Sequence, residues 1–321
     1  MSNAEETVQY QDKALRPKNL NTFTGQPEIV EQLEMCIEAA NKRGEPLDHV
    51  LLYGPPGLGK TTLAHIIANE LNGPLVCTSG PLLQKATDIA PLLVSLTAGS
   101  TLFIDEIHRV NIQVEEMLYS AMEDGFLDIM VGETEKKSLR ISLEPFTLVG
   151  ATTRYGMLSS PLRDRFGMVF RVQYYRLEDL TYVVQRTADA LAMDMSDDNS
   201  RIVASRARGT PRVALKMLRR VRDYLETKGL SGQSTEGVEA ALKMLGVDER
   251  GLNEQDLAYL KVLNESFGGG PVGLNTLAAA LSEDADTLEE AVEPYLLQEG
   301  FIQRTARGRM ATKPTAATIS D

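Results

Sequence analysis

Residues 54–61, GPPGLGKT, have the residue types and the spacing of a loop that binds phosphate. They fit the pattern G-x-x-x-x-G-K-[ST], and they lie between a strand-like run, HVLLY, and a helix-like run, TTLAHIIANEL. Glycines allow backbone N–H groups to surround phosphate oxygens, and the helix N-terminus and Lys60 add positive potential. The hydroxyl of Thr61 suits a bound Mg²⁺ ion. The loop therefore predicts a site for ATP and Mg²⁺.

A second motif, IDEIH at residues 104–108, ends an apolar run that is typical of a buried strand. We predict that Asp105 holds the hydrated Mg²⁺ ion and that Glu106 polarises the attacking water. An acidic pair at a strand end also serves as a helix N-cap, and DEIH resembles the motif of another helicase superfamily. The phosphate loop favours the catalytic interpretation, but this motif alone does not identify a family.

Three later motifs contain side chains with hydroxyl or guanidinium groups that could act on a nucleotide. LVGATTR closes another buried strand, and we expect Thr153, with Thr152 as the alternative, to orient the water or to sense the γ-phosphate. SSPLRDRFG places Arg165 just before the last strand-like run, and GTPR places Arg212 at the start of a helix. Each arginine by itself suits a solvated surface charge. Their order and spacing after the phosphate loop favour a role at the nucleotide.

The elements that must position these residues alternate along the first half of the chain. Short β-rich runs separated by helical periods lie at residues 49–54, 75–79, 101–105, 146–153 and 168–175. Apolar strands that alternate with helices indicate a parallel sheet covered on both faces. The sequence therefore predicts an α/β, doubly wound parallel-sheet domain with a phosphate loop over residues 15–175.

The second half of the chain has a different pattern. From residue 177 to about residue 246 only helical periods occur, which predicts a small all-helical domain over residues 176–247. Three helical stretches and two short strands follow over residues 248–313, in the order of a winged helix. Residues 1–14 and 314–321 are predicted to be tails.

The charge of the chain is unevenly distributed. The 321 residues carry a net charge of −12, which argues against nucleic acid bound over the whole surface. Yet residues 301–314, FIQRTARGRMATKP, contain positive charges only: Arg304, Arg307, Arg309 and Lys313. If the ribbon is the wing of a winged helix, we predict that duplex DNA binds it through its phosphates, chiefly at Arg304 and Arg309 and secondarily at Arg307; the alternative is a solvated basic turn. Such contacts are weak and independent of base sequence.

The helix before this ribbon, TLEEAVEPYLLQEG at residues 287–300, carries four glutamates and no basic residue. We expect it to begin with a capping box between Thr287 and Glu290 and to bend at Pro294. So acidic a helix is repelled by DNA phosphates, which is why the prediction assigns the contact to the ribbon.

Other features exclude several classes of protein. The cysteines, Cys36 and Cys77, provide neither a disulfide framework nor metal-ligand spacing. No apolar run approaches the length of a membrane span, and the N-terminus lacks the apolar core of a secretory signal. We expect a cytoplasmic protein with no membrane partner.

Taken together, the motifs resemble an AAA+ ATPase and, more narrowly, the RuvB family of bacterial Holliday-junction branch-migration motors. The resemblance rests on LRPKNLNTFTGQ, the phosphate loop, FIDEIHR, MEDGFLDIMVGE, FTLVGATTR, SPLRDRFG, RARGTPRVA, FGGGPVGL and EPYLLQEGFIQRTARGRMAT. It covers roughly residues 15–312. It implies an AAA+ large domain, a lid and a winged helix, a homo-hexameric ring on duplex DNA, RuvA as the junction-binding partner and a junction resolvase as a further partner.

The same resemblance implies roles for individual residues. Residues 127–141 match the hairpin that engages RuvA, Arg165 matches an arginine finger that reaches the neighbouring subunit's γ-phosphate, and Tyr175 and Arg212 match residues that close over the nucleotide. The other matches lie at the nucleotide site. Leu15 and Arg16 match residues at the adenine end, and the phosphates and Mg²⁺ are matched by Gly57, Lys60, Thr61 and Thr62. The family also associates a stretch that matches Glu123, Asp124 and Gly125 with this site, a role for which the residue types give no physical reason.

Two other functions share part of these features. An AAA+ loader or initiator that uses ATP as a switch has every nucleotide motif, and it differs by lacking sustained, DNA-stimulated turnover. A winged-helix transcription regulator needs residues that read base edges on its recognition helix, which the acidic helix does not offer. A DExH helicase needs a second RecA-like domain, for which the chain has neither the length nor the motifs.

Overall fold

The computed structural model describes residues 16–131 and 137–312, so Leu15, Lys313, both predicted tails and most of the hairpin tip lie outside the described residues. The chain forms two compact units. Among the described residues, those up to 190 together with 209–212 form the first unit, and 191–208 together with those from 213 onward form the second. The exact boundaries of the predicted domains stay a prediction.

A five-stranded parallel sheet forms the centre of the first unit, with the strand order β2-β3-β6-β1-β7. Its strands are β1 Val50–Tyr53, β2 Leu75–Ser79, β3 Ser100–Asp105, β6 Phe146–Thr152 and β7 Met168–Arg171. Strands β1, β3 and β6 are almost wholly buried, as expected for a sheet with helices on both faces. The predicted doubly wound α/β fold is confirmed.

The strand predicted at residues 168–175 is shorter in the structure. Strand β7 ends at Arg171, and the backbone N–H of Val172 donates the final sheet bond to the carbonyl of Tyr53 at 2.8 Å. The chain then leaves the sheet, and the N–H of Tyr175 donates to the carbonyl of Gly209 at 2.9 Å. This distant partner replaces the neighbouring strand that the β-rich run predicted.

The apolar core includes Leu51, Leu102, Leu118 and Phe166, and residues of the helices at 86–94, 112–123 and 160–164 belong to it. The helices of the first unit precede, separate and follow the strands. They are α1 Pro27–Arg43, α2 Lys60–Glu70, α3 Ala86–Val94, α4 Ile112–Glu123, α5 Ser160–Asp164 and α6 Leu177–Ala190. Single 3-10 turns lie at Leu20–Thr22, Gly80–Leu82, Ile107–Arg109 and Tyr155–Met157. An antiparallel hairpin, β4 Phe126–Val131 with β5 Lys137–Ser142, follows α4.

The second unit contains the rest of the helices and a two-stranded ribbon. Its helices are α7 Asp197–Arg206, α8 Pro211–Lys228 (which starts in the first unit), α9 Thr235–Met244, α10 Glu254–Lys261, α11 Leu274–Leu281, α12 Ala285–Thr287 and α13 Glu293–Gln298. Strands β8 Ile302–Thr305 and β9 Gly308–Ala311 pair antiparallel and close the predicted winged helix, which is confirmed.

The acidic helix of this winged helix differs from its prediction at its start. Its N-cap is Asp284, so Thr287 lies inside the helix with helical dihedral angles and does not cap it. A π-helical turn, Leu288–Val292, separates α12 from α13, and Pro294 lies in the first turn of α13. Because proline has no N–H to donate, it interrupts the hydrogen bonds of an α-helix. At the predicted bend, Pro294, the structure has this change from a π-helical turn to an α-helix. Within the described residues, no helix is both long and apolar enough to cross a membrane.

Candidate nucleotide and nucleic-acid sites

The phosphate loop connects the carboxyl end of β1 to the first turn of α2. Gly54 has φ 144°, and a Cβ there would lie 2.2 Å from the carbonyl oxygen of Val172, so the close approach of the two chains requires glycine. Gly59, with φ 99°, is the N-cap of α2 and forms no side-chain capping bond. The first N–H groups of α2, which include those of Thr61 and Thr62, therefore have no intrahelical acceptor. Such groups bind phosphate oxygens well.

Lys60 is buried in this loop and bonds to the loop itself. Its ammonium group donates to the carbonyls of Gly54 at 2.7 Å and Pro55 at 2.8 Å. Burial lowers the pKa of Lys60 to about 8, while the charge of Asp105 opposes this decrease and the charge of Arg212 adds to it. The hydrogen-bond acceptors of this ammonium group are neutral carbonyls, so a polyphosphate anion would form stronger, charge-assisted hydrogen bonds with it.

This low pKa predicts that nucleotide affinity depends on pH. Below about pH 8, Lys60 is protonated in the free protein, so binding needs no proton uptake. As the pH rises through about 8, affinity is expected to fall by up to about tenfold per pH unit, because the phosphates bind the protonated form. Titrations of a fluorescent ADP analogue between pH 7 and 9.5 test this dependence. Lys60→Arg should flatten the curve, because arginine keeps its proton; a flat wild-type curve would contradict the assignment.

Two carboxylates lie at the end of β3, at the same edge of the sheet as the loop: Asp105 is the last residue of the strand and Glu106 follows it. Asp105 Oδ1 accepts a bond from the backbone N–H of Glu106 at 2.9 Å, and Glu106 has a left-handed backbone with φ 49°. The carboxylate of Glu106 is half-exposed and pairs with Arg109 Nη1 at 3.0 Å. A magnesium ion takes one or two protein oxygens and completes its shell with phosphates and water. The oxygens of Thr61 and Asp105 fit that requirement.

The two threonines that end β6 have different surroundings. The Thr152 side chain is buried, its hydroxyl lies 2.9 Å from His108 Nδ1, and it accepts a bond from the N–H of Arg154. Burial lowers the pKa of His108, which favours the neutral ring. Thr153 is the first residue after the strand and its side chain is exposed. This difference favours Thr153 over Thr152 as the group that meets water and phosphate.

The GTPR segment packs directly on the phosphate loop. The N–H of Arg212 donates to the carbonyl of Gly57 at 3.3 Å, and a Cβ at Gly57 would lie 2.8 Å from Thr210 Cγ2 and 3.0 Å from Arg212 Cβ. Tyr175 is buried, and its hydroxyl lies 3.5 Å from the position of a Cβ on Gly59. Burial raises the pKa of Tyr175, so its hydroxyl stays neutral. The structure therefore brings Tyr175 and Arg212 together with the loop.

A cleft of about 350 Å³ lies in the first unit, lined among others by Phe23, Gly25, Val30 and Arg176. The Phe23 ring lies 3.5 Å from the position of a Cβ on Gly59, next to the start of α2. Arg16, predicted at the adenine end of the nucleotide, is exposed. Motif matching did not identify Phe23; its only signal was an aromatic residue in a polar segment.

Arg165 lies at the opposite edge of the sheet. It follows α5 as the C-cap and precedes β7, and a Cβ on Gly167 would lie 2.9 Å from the Cβ of Asp48, which precedes β1. Arg165 Nη2 pairs with Glu123 Oε2 at 2.7 Å at the end of α4. The carbonyl beside Glu123, that of Met122, lies 3.3 Å from His49 Nε2, again before β1. The structure thus places Glu123, and with it Asp124 and Gly125, beside Arg165 and not beside the chain's own phosphate loop.

The ribbon arginines differ in what they contact. Arg304 Nη2 and Arg309 Nε donate to the two oxygens of the fully buried Glu293, at 2.7 Å and 2.8 Å, and Glu289 pairs with both guanidinium groups. Arg307 is exposed in the turn between the strands, and within the described residues its side chain has no ion pair. The prediction ranked Arg307 last; this geometry favours it over the other two, whose charges the acidic helix compensates.

Glu293 itself was missed as a functional residue. The acidic helix was expected only to repel DNA phosphates, although Glu293 also accepts a bond from the hydroxyl of the buried Tyr259 at 2.9 Å. Burial, followed by the charge of Glu293, raises the pKa of Tyr259. No local signal distinguishes Glu293 from its neighbours, because its partners are ten or more residues away.

Comparison with known proteins agrees with this geometry along nearly the whole described chain. Residues 15–172 match the Holliday junction DNA helicase RuvB P-loop domain, residues 175–248 match the RuvB AAA lid domain, and residues 249–319 match the RuvB C-terminal winged helix domain. A structure of a substituted Thermotoga maritima RuvB is 49% identical with a TM-score of 0.87, and the match covers 94% of this chain and 97% of that one. The Thermotoga maritima RuvB Holliday junction branch migration motor is 48% identical over the same shares, with a TM-score of 0.85.

Proposed function

Because this chain belongs to the RuvB family of Holliday-junction branch-migration ATPases, we propose that it works as a hexameric ring that hydrolyses Mg²⁺-ATP and moves duplex DNA. The proposal concerns the assembly, the metal, the partners and the roles of the site residues.

One observation carries the proposal: the site of each subunit is divided between the two edges of its sheet. Lys60, Asp105 and Arg212 lie at the carboxyl edge, whereas Arg165 lies at the amino edge. The four residues of β1 separate the edges by about 10 Å, at about 3.3 Å per residue. An arginine in that position serves a nucleotide bound to a neighbouring subunit, so that hydrolysis depends on assembly.

The residues then divide the chemistry as follows. Thr61 and Asp105 would hold a Mg²⁺ ion, which would supply positive charge to the phosphates. Glu106 polarises the water once its carboxylate leaves Arg109, and Thr153 orients that water. Lys60 binds the phosphates as a cation, and Arg165 stabilises charge on the transferred γ-phosphoryl group.

Arg212 connects the nucleotide to the helical part of the chain. It lies at the start of α8, and that helix continues into the second unit. Loss of the γ-phosphate removes the anion to which the subunit's own Arg212 and the Arg165 of a neighbouring copy are both attracted. Each cycle would thereby release a restraint on the lid and a restraint on the neighbouring subunit, which is a phosphate-controlled conformational switch.

DNA contacts come from the wing. Arg307 is the principal phosphate ligand in this proposal, and Arg304 and Arg309, whose charges Glu289 and Glu293 compensate, are secondary ligands. A few backbone contacts per subunit give weak binding without base readout. A motor that moves along any sequence needs binding of this kind.

The partners follow from the family. We propose that the hairpin β4–β5 docks RuvA; Leu139 on β5 is half-exposed there, and Asp128 and Arg140 pair across the strands at 2.8 Å. A junction resolvase acts on the same DNA, and the protein works in the bacterial cytoplasm.

Strand exchange on a synthetic four-way junction tests the function. With ATP and RuvA, the protein is expected to convert the junction to two duplexes, with sustained DNA-stimulated ATP turnover. A non-hydrolysable ATP analogue and the Glu106→Gln variant are the controls and should bind the junction without moving it. A single turnover that stops after DNA binding would instead indicate a loader or an initiator.

A further inference from the structure

The guanidinium group of Arg165 lies on a stripe of side chains along α4. Glu115, Tyr119 and Glu123 are spaced by four residues, so they project from one face of that helix. Arg165 lies over the Tyr119 ring, with its Cζ 4.6 Å from the ring centroid, and pairs with Glu123 at 2.7 Å. Its Nη1 donates to the carbonyl of Pro161 at 2.8 Å. The arginine is therefore held by three different groups.

These groups differ in how firmly they are themselves held. The Glu123 side chain is 61% exposed, so its ion pair is screened by water and contributes little. The Tyr119 hydroxyl, by contrast, donates to Glu115 Oε2 at 2.7 Å, and the Glu115 side chain is buried. Burial raises the pKa of Tyr119, which keeps that hydroxyl protonated. The ring beneath the guanidinium group is thus the fixed part of the support.

The same buried carboxylate also fixes the helix that carries the arginine. Ser159 donates its hydroxyl proton to Glu115 Oε2 at 2.6 Å, and the Ser159 oxygen accepts the N–H of Leu162 as the N-cap of α5. Arg165 is the C-cap of this five-residue helix. Glu115 therefore joins the start of α5 to the ring under its last residue. Nothing in the catalytic roles described above requires these buried bonds.

We propose that Tyr119, anchored by Glu115, is a positioning residue that aims Arg165 at the nucleotide of the neighbouring subunit. The proposal rests on the proposed role of Arg165. A cation–π contact restricts the guanidinium group without offering it a competing negative charge. The γ-phosphate then has to displace only the exposed carboxylate of Glu123, while the aromatic ring keeps the direction of the side chain.

Two substitutions at Tyr119 separate the ring from its hydroxyl. Tyr119→Leu removes the ring and is expected to lower kcat by about 10- to 100-fold, because small misplacements of a catalytic group have effects of that size. Tyr119→Phe retains the ring but loses its bond to Glu115, so its kcat is expected to lie between those of the wild-type protein and Tyr119→Leu. In both variants the dissociation constant for ATP is expected to stay near the wild-type value, since the chain's own phosphate loop is untouched.

Mixed rings test whether the defect acts on the neighbour. A Lys60→Ala subunit cannot bind ATP productively but carries an intact Arg165, so mixing it with Tyr119→Leu should give more turnover than the sum of the separate proteins. No gain in mixed rings, whose formation is checked by native mass spectrometry, would overturn the proposal. Unchanged kcat in Tyr119→Leu would overturn it as well.

An Arg165→Ala protein mixed with Lys60→Ala distinguishes failure of the inference from failure of the proposed function. If that mixture gains turnover and the Tyr119→Leu mixture does not, only the positioning role is wrong. If neither mixture gains turnover, the action of Arg165 on a neighbouring subunit is wrong and the proposed function fails with it.

Discussion

Arg165→Ala is expected to lower the turnover number for ATP by about 10³-fold or more, the effect that arginine fingers have in related phosphoryl transfers. Nucleotide affinity should stay nearly unchanged, because Arg165 lies at the sheet edge opposite the chain's own Lys60. Single-turnover hydrolysis with the ring assembled, together with equilibrium binding of the fluorescent ADP analogue, measures the two quantities separately.

The neighbouring arginine of α5 provides a matched control. Arg163 donates to the Ser160 hydroxyl at 2.9 Å and lies near the Tyr155 ring, away from the α4 stripe. Arg163→Ala removes the same charge from the same short helix, and we expect it to leave most of the turnover. Equal losses in the two variants would show that the helix, and not the guanidinium group of Arg165, is what matters.

Assembly gives a second measurement of the same role. If Arg165 acts across a subunit boundary, specific activity falls when the protein is diluted below the concentration at which rings form, and Arg165→Ala shows little further loss on dilution. Full activity of an isolated wild-type subunit would contradict the divided site.

The phosphate site was predictable from sequence because its parts are local. The loop, the N-terminus of α2 and the strand before them lie within about twenty residues, and backbone geometry alone aims their N–H groups at one point. The later motifs were placed by the topology of parallel strands, whose carboxyl ends meet at one edge of the sheet. Asp105 and Thr153 follow this rule.

Side-chain pairing was not predictable in the same way. Whether Arg165 meets Glu123, or Arg304 meets Glu293, depends on which helix face turns inward, and this is decided by packing of the whole unit. The acidic helix illustrates the error: its glutamates were interpreted only as groups that repel DNA phosphates, yet Glu293 is fully buried between two arginines. The start of that helix was misplaced too: the chain enters the helix at Asp284, three residues before Thr287, and the Asp284 side chain forms no capping bond.

Glu293 also solves a problem within the wing. Arg304 and Arg309 are direct cross-strand partners on β8 and β9, and like charges in that relation destabilise a ribbon. The carboxylate of Glu293 accepts bonds from both guanidinium groups and from Tyr259, and Glu289 adds a second negative charge. Two arginines and two carboxylates therefore form one compensated cluster, which fixes the ribbon against α13.

Removal of this carboxylate is expected to have a large effect on stability. Glu293→Ala should lower the free energy of unfolding of the winged helix by about 3–5 kcal/mol, because two arginines lose a buried partner and are left with the half-exposed carboxylate of Glu289. Glu293→Gln, which keeps the shape and loses the charge, should show a smaller loss. Hydrogen exchange of peptides from residues 249–312, measured by mass spectrometry against denaturant, reports this free energy without requiring the other domains to unfold together.

Arg307→Ala is the matched control, since it removes an exposed charge from the turn of the same ribbon. Its unfolding free energy should change by no more than about 0.5 kcal/mol, as at other exposed positions. Its affinity for duplex DNA should fall. The slope of log affinity against log salt concentration should decrease by the equivalent of about one phosphate contact per wing. Glu293→Ala and Arg307→Ala are thus expected to separate wing stability from DNA binding. Equal hydrogen-exchange protection in the two variants would show that the buried carboxylate does not hold the wing.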